Sequence, residues 1–113
     1  MSGLLTPGVL VQATTMALQH EPLPAEQVIA GAPTTGIAIL VEGEPEIGVW
    51  EMTPGAATDV EVDEVFVVLS GSATLVMPGV DPVELIAGSV VQLAAGMSTT
   101  WTVHETLRKI YVA

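Results

Sequence analysis

An all-β fold, an antiparallel β-barrel of the jelly-roll kind with little helix, is what this chain of 113 residues predicts. Three observations lead there. The apolar runs are short and rich in Val and Ile, as in Val65–Leu69 and Ile110–Val112. Eleven Gly and eight Pro punctuate them at short intervals. No run keeps a helical period for long, and the longest helix-like candidate, Val11–His20, amounts to a turn or two.

Taken in order, residues 1–30 read as an N-terminal arm with edge strands expected at Val9–Gln12 and Gln27–Ala30, and residues 31–113 as a single barrel domain. GAPTTG, residues 31–36, reads as a turn and Ile37–Val41 as a strand. The Gly and Pro of EGEPE, residues 42–46, give a solvated acidic turn. Ile47–Thr53 alternates, so that Val49, Glu51 and Thr53 share one face and Trp50 and Met52 the other. Pro54 and Gly55 then turn the chain. Further strands are expected at Val65–Ser70, Ala73–Met77, Val83–Ile86, Val90–Leu93, Thr100–His104 and Leu107–Val112. Turns are expected between them at Ser70-Gly71, Pro78-Gly79, Ala87-Gly88 and Ala95-Gly96, each with a glycine free to take positive φ.

The formal net charge is −11, and Arg108 and Lys109 are the only basic residues. Nucleic acid is therefore not expected as a partner, because phosphate binding needs a basic face. Anionic membranes are disfavoured for the same reason. There is no cysteine, hence no disulfide and no thiolate chemistry. No leader-like segment or membrane-length apolar run stands out, so a soluble cytoplasmic protein is expected. More apolar residues are present than one small barrel needs, and open strand edges are hazards, so a homodimer is expected.

Chemistry must come from two stretches. In Pro54–Gly71 the carboxylates Asp59, Glu61, Asp63 and Glu64 lie immediately before a buried strand, where they must face water or share a cation or proton. Gly88–Val112 answers with glycine-bounded β runs and the one cationic pair. These residues resemble the two motifs of the cupin superfamily. Glu64, six residues and Gly71 match the closing half of the first motif, G(X)5HXH(X)3,4E(X)6G. Gly88 and Gly96 reproduce the glycine frame of the second, G(X)5PXG(X)2H(X)3N. The features Gly48-Val49-Trp50-Glu51, Pro54-Gly55 and Trp101 to Val112 are similar to small single-domain cupins grouped with ethanolamine-utilisation cupins and ureidoglycine aminohydrolase domains. The resemblance covers roughly 37–112 and implies a double-stranded β-helix.

The same alignment puts Ala57, Asp59 and Thr99 at the three histidine positions and Ala94 at the motif proline. The resemblance therefore implies that no histidine-ligated metal and no cofactor is held. An oxygen-only site from Asp59, Glu64 and Thr99 would suit Mg²⁺, Mn²⁺ or Ca²⁺ but offers few donors. Strand parity counted from Thr99 turns Trp101 and Val103 inward and His104 outward, and gives Lys109 and Tyr111 one face, Arg108 and Ile110 the other. Lys109 is expected to pair with Glu51 or Glu64. The ligand-binding candidates are Trp50, Glu51, Asp59, Glu64, Thr99, Trp101, Lys109 and Tyr111, in a barrel mouth taking a small polar metabolite. The alternative function is an isomerase, hydrolase or lyase with Glu64 as catalytic general acid/base beside Asp59. No Ser-His or Cys-His nucleophile set accompanies it.

Overall fold

The computed structural model describes residues 3–113, and the first two residues of the expected arm lie outside it. Nine strands follow in order: β1 His20–Pro22, β2 Val28–Ala30, β3 Thr34–Val41, β4 Ile47–Met52, β5 Gly55–Val60, β6 Glu64–Val76, β7 Val83–Leu85, β8 Val90–Leu93 and β9 Ser98–Val112. The helical content among these residues is one 3-10 turn, Ala25–Gln27. All strand pairings are antiparallel, and the sheet runs β1-β3-β4-β9-β5-β2, with β6 bonded to β7, β8 and β9.

Strand β9 is the spine. Its first half pairs with β5, Ala57 opposite Trp101 and Asp59 opposite Thr99, while its second half pairs with β4, Trp50 opposite Lys109. Along its other edge β6 accompanies both halves, Phe66 opposite Tyr111 and Leu75 opposite Trp101. Two sheet halves are thereby made from the same two long strands, which must bend to close a barrel. The bend in β6 falls at Ser70–Ser72, where the register against β9 shifts three times. Phe66 and Val68 are buried before it and Ala73 and Leu75 after it, so the inward set passes from even to odd positions there.

Ser70-Gly71 is therefore a bulge inside one strand, although the sequence reads it as a turn between two. Gly71 does take positive φ, +88°. The chain is not reversed there because β9 runs alongside without a break and holds both sides of the bulge in one ladder. The turns at Gly79, Gly88 and Gly96 form with positive φ where glycine punctuation places them.

The N-terminal segment departs more. Val9–Gln12 pairs with no strand, and the expected edge strand is instead His20–Pro22, bonded to Thr34–Gly36 at the end of what reads as the GAPTTG turn. The helix-like Val11–His20 contains one turn, closed by the Met16 N–H donating to the Gln12 carbonyl. Earlier, the Leu4 and Leu5 N–H groups donate to the carbonyls of Ile39 and Leu40 on β3. Arg108 then fixes the segment from the sheet side, its Nη1 donating to the Ala13 carbonyl at 2.9 Å and its Nε to Glu51 at 2.8 Å. Val49, on the same face of β4 as Glu51, is fully buried.

The core fills the space between the halves with Met52, Phe66, Leu75, Leu85, Leu93, Trp101 and Leu107. No helix among the described residues is long and apolar enough to cross a membrane.

Candidate functional site

The core does not fill the barrel. A cavity of about 280 Å³ remains, bordered by Trp50, Ala57, Asp59, Glu61, Glu64, Trp101, Lys109 and Tyr111. It exists because the inward positions of β9 carry Lys109 and Trp101 where a packed barrel would carry aliphatic residues, and Ala57 opposite Trp101 is too small to fill the gap.

Lys109 forms the floor. Its side chain is 6% exposed, and Nζ donates to Glu64 Oε2 at 2.7 Å. Three aromatic faces enclose the ammonium, with ring centroids 4.3 Å (Phe66), 4.7 Å (Trp50) and 4.8 Å (Trp101) away. Register explains the convergence: Trp50 is directly across β4 from Lys109, and Phe66 lies diagonally across β6, opposite Tyr111. An ammonium over an electron-rich ring face is attracted by it, and the attraction grows when water is excluded. The rings also pack on one another, Trp50 and Phe66 each tilted against Trp101 with centroids 5.7 and 5.6 Å apart.

A second carboxylate, Glu61, is 7% exposed. Its Oε2 accepts from the Thr99 hydroxyl at 2.6 Å and from the Trp101 indole N–H at 3.1 Å. It sits between β5 and β6, where its backbone exchanges hydrogen bonds with the turn at Ala94–Met97: Glu61 N–H to the Met97 carbonyl, and Gly96 N–H to the Glu61 carbonyl. Glu61 is one of the four carboxylates that the sequence sets before the buried strand, but it is not among the ligand-binding candidates, because the chain leaves the strand at Val60, where parity counting stops. The available signal was its two-residue spacing from Asp59 in an extended stretch.

Asp59 stands at the rim, Oδ1 accepting from the Val60 N–H at 2.8 Å. Partial desolvation, and then the charges of Glu61 and Glu64, raise its carboxyl above the ordinary aspartate value. A raised acid pKa means that the folded state binds the proton more tightly than the unfolded state. Ionised Asp59 therefore opposes folding at neutral pH, and the opposition disappears as pH falls through the folded value toward the ordinary 3.8. Asp59→Asn, which keeps the oxygen that accepts from Val60, is expected to raise the melting temperature at pH 7 and to lose that advantage near pH 4. The rise is modest because solvent screens an exposed group. Thermal unfolding across that range checks it, and a destabilised variant at pH 7 would contradict it.

Other candidates lie elsewhere. Glu51 is on the opposite face of β4 from Trp50, where Oε1 pairs with His20 Nε2 at 2.7 Å and Oε2 with Arg108. Burial raises its pKa, but the hydrogen bonds and charges of Arg108 and His20 outweigh burial and hold it below the ordinary value. It fastens the N-terminal segment and does not border the cavity. Thr99 is buried and serves Glu61. Tyr111 borders the cavity but spends its hydroxyl on Glu46 Oε2 at 2.7 Å, and burial and that bond push its pKa well above the ordinary phenol value. Gly48, opposite Tyr111, admits the phenol, since a Cβ there would meet the ring at 2.6 Å. His104 is exposed and bonded to Thr74.

A curled antiparallel barrel, organised on two bent strands and open to a small, mostly apolar cavity with carboxylates in its wall, defines a small jelly-roll protein of the cupin type. Residues 41–111 match the EutQ-like cupin domain, and the chain belongs to that family. No protein of curated function matches it. Solved structures of similar fold include the EutQ protein of Clostridium difficile, at 20% identity and a TM-score of 0.62, covering 71% of this chain and 67% of that one. A protein of unknown function from Pseudomonas syringae pv. tomato shares 23% identity at a TM-score of 0.76 over 88% of this chain, which spans 45% of that protein. Another, from Acidithiobacillus ferrooxidans, shares 24% identity at 0.63, over 93% of this chain and 100% of its own. At these identities the likeness is one of fold.

The histidine-held metal of the cupin motif does not fit the side chains here. Of the three ligand positions, Ala57 has no donor atom, Thr99 donates its hydroxyl proton to Glu61, and Asp59 turns an oxygen back to its neighbour's N–H. The motif glutamate, Glu64, already holds a cation in the Lys109 ammonium. Among the described residues no three His, Cys, Asp or Glu side chains are grouped to hold a metal.

Proposed function

We propose that this protein binds a small polar molecule in the barrel cavity without a histidine-ligated metal. The observation that carries the reading is Glu61, a carboxylate buried in the cavity wall with one oxygen committed to Thr99 and Trp101 and the other without a hydrogen-bond partner among the described residues. Burying a carboxylate is costly unless its oxygens are satisfied, so a wall of this kind is suited to a polar guest. The two tryptophans supply apolar surface beside it, the combination small-molecule sites use. Binding is favoured over catalysis because the Glu64 oxygen nearest Lys109 is tied to the ammonium, leaving the expected general acid/base half engaged before any substrate arrives.

A thermal-shift screen of small polar metabolites is the test. A ligand at about 100 times its Kd adds about 2.7 kcal/mol to the folded state, a shift of many degrees for a domain of this size. Hits are expected that leave purified protein with far less than one equivalent of Zn, Fe, Ni or Mn, and chelator should leave the melting temperature unchanged. A stoichiometric metal that survives dialysis and is lost on Glu64→Gln would overturn the metal-free reading and favour an enzyme.

A further inference from the structure

Which molecule the cavity takes is written in its unsatisfied hydrogen-bonding groups. Four carboxylates border it, Glu46, Asp59, Glu61 and Glu64, against the single ammonium of Lys109. The charged donor and two neutral ones are already engaged: Lys109 is held by Glu64 and three ring faces, the Trp101 indole N–H by Glu61 and Thr99, and the Tyr111 hydroxyl by Glu46. The Trp50 indole N–H, the Gln27 amide and the Thr35 hydroxyl also border the cavity but carry no charge, so the charged groups left open are acceptors. Glu61 and Glu64 each keep Oε1 without a partner among the described residues, and since no fully buried side-chain oxygen there is unpartnered, both atoms keep accessible surface on residues that border the cavity. Glu61 is more than nine-tenths buried and borders the cavity, which distinguishes it from a solvated acidic surface.

From this geometry we infer that the ligand is a small primary amine bound as its ammonium ion, its N–H groups donating to Glu61 and Asp59 and its carbon chain lying against Trp50 and Trp101. The inference rests on the cavity being a binding site, as proposed above. An anion is disfavoured because its one counter-charge, Lys109, is neutralised by Glu64, while Glu61 and Asp59 border the same cavity without a cation of their own. A bare metal ion is disfavoured because two indole faces occupy wall that oxygen donors would need. An alkylammonium suits both parts of the wall: carboxylates accept its three N–H groups, and ring faces attract its charge and cover its methylenes. Asp59 fits the same picture, since a cation beside it relieves the repulsion from Glu61 and Glu64 that raises its pKa. The cavity volume of about 280 Å³ limits the ligand to a short chain.

Trp50 and Trp101 are the only tryptophans in the chain and both border the cavity, so intrinsic emission reads its occupancy directly. Propylamine, 1,3-diaminopropane, propionate and glycerol are titrated into the intact protein at pH 7 and constant ionic strength. Saturable emission changes are expected with the amines and none with propionate or glycerol over the same range. Glu61→Gln keeps an oxygen for Thr99 and Trp101, so the fold should survive, and amine affinity should fall about 10-fold or more with the loss of a charged acceptor. Glu84→Gln, at an exposed side chain of β7, should leave amine binding unchanged. If propionate or glycerol saturates and the amines do not, or if Glu61→Gln binds amines as well as the parent, the amine assignment is overturned while cavity binding stands. If no probe binds and the metabolite screen is also empty, both readings are overturned.

Discussion

Lys109→Met is expected to destabilise the barrel by about 3–5 kcal/mol, the usual effect of removing one partner from a buried ion pair. Glu64, whose side chain is 10% exposed, would keep its charge in the cavity wall with nothing to balance it. The three ring faces would lose the cation they enclose as well. Urea unfolding should show a lower midpoint at unchanged slope. The double variant Lys109→Met with Glu64→Leu should recover most of the loss, because replacing both members of a buried pair by apolar residues of similar size is often neutral or stabilising. A single variant within 1 kcal/mol of the parent would mean that the pair is hydrated and that the cavity floor is open to water.

Gly71→Ala is the second large effect, a loss of about 3–5 kcal/mol or failure to fold. Two costs combine. The backbone at φ +88° is one that residues with a Cβ seldom adopt, worth about 1–3 kcal/mol. A Cβ there would also collide with the Thr106 carbonyl oxygen on β9 and approach the Leu107 Cα at 2.8 Å. Overpacking against side chains costs about 1–3 kcal/mol, and backbone has less room to yield. The glycines at 79 and 88 share positive φ but have open space around the missing Cβ, so Gly79→Ala should show only the conformational part. Comparing the two by urea unfolding separates strain from collision, and equal losses would show that the close approach of β6 to β9 is relaxed in solution.

The contrast between those glycines is also the limit of what the chain could tell in one dimension. Glycine punctuation and Val-rich runs indicate where strands begin and end, because φ preference and β-branching are local properties of a residue and its neighbours. They cannot distinguish a turn from a bulge, since the difference lies in whether a partner strand continues alongside. At Gly71 that partner is β9, some 35 residues on. Gly55–Val60 is a related case: no strand is expected there from the sequence, and it becomes strand β5 because β9 and β2 flank it with free backbone groups. His20–Pro22 is a strand for the same reason.

The candidate site divides along the same line. Parity along β9 places Thr99, Trp101, Lys109 and Tyr111 on one face, and the cupin resemblance supplies the register that brings Glu64 toward them. Glu51 has the opposite parity from Trp50 within β4, so its distance from the cavity is legible in the alternation Ile47–Met52 itself. Glu61 is different, because it lies in a connection whose direction is set by hydrogen bonds to the turn at Ala94–Met97.

By itself the sequence determined an all-β chain, its strand punctuation and its lack of cysteine and of a basic surface, all consequences of residue identity and short-range geometry. Tertiary structure alone decided that Lys109 pairs with Glu64 inside three aromatic walls, that Glu61 accepts from Thr99 and Trp101, and that Glu51 fastens the N-terminal segment through His20 and Arg108. The physical reason is that charges choose partners by distance and desolvation, and both are set by where strands far apart in the chain come to lie.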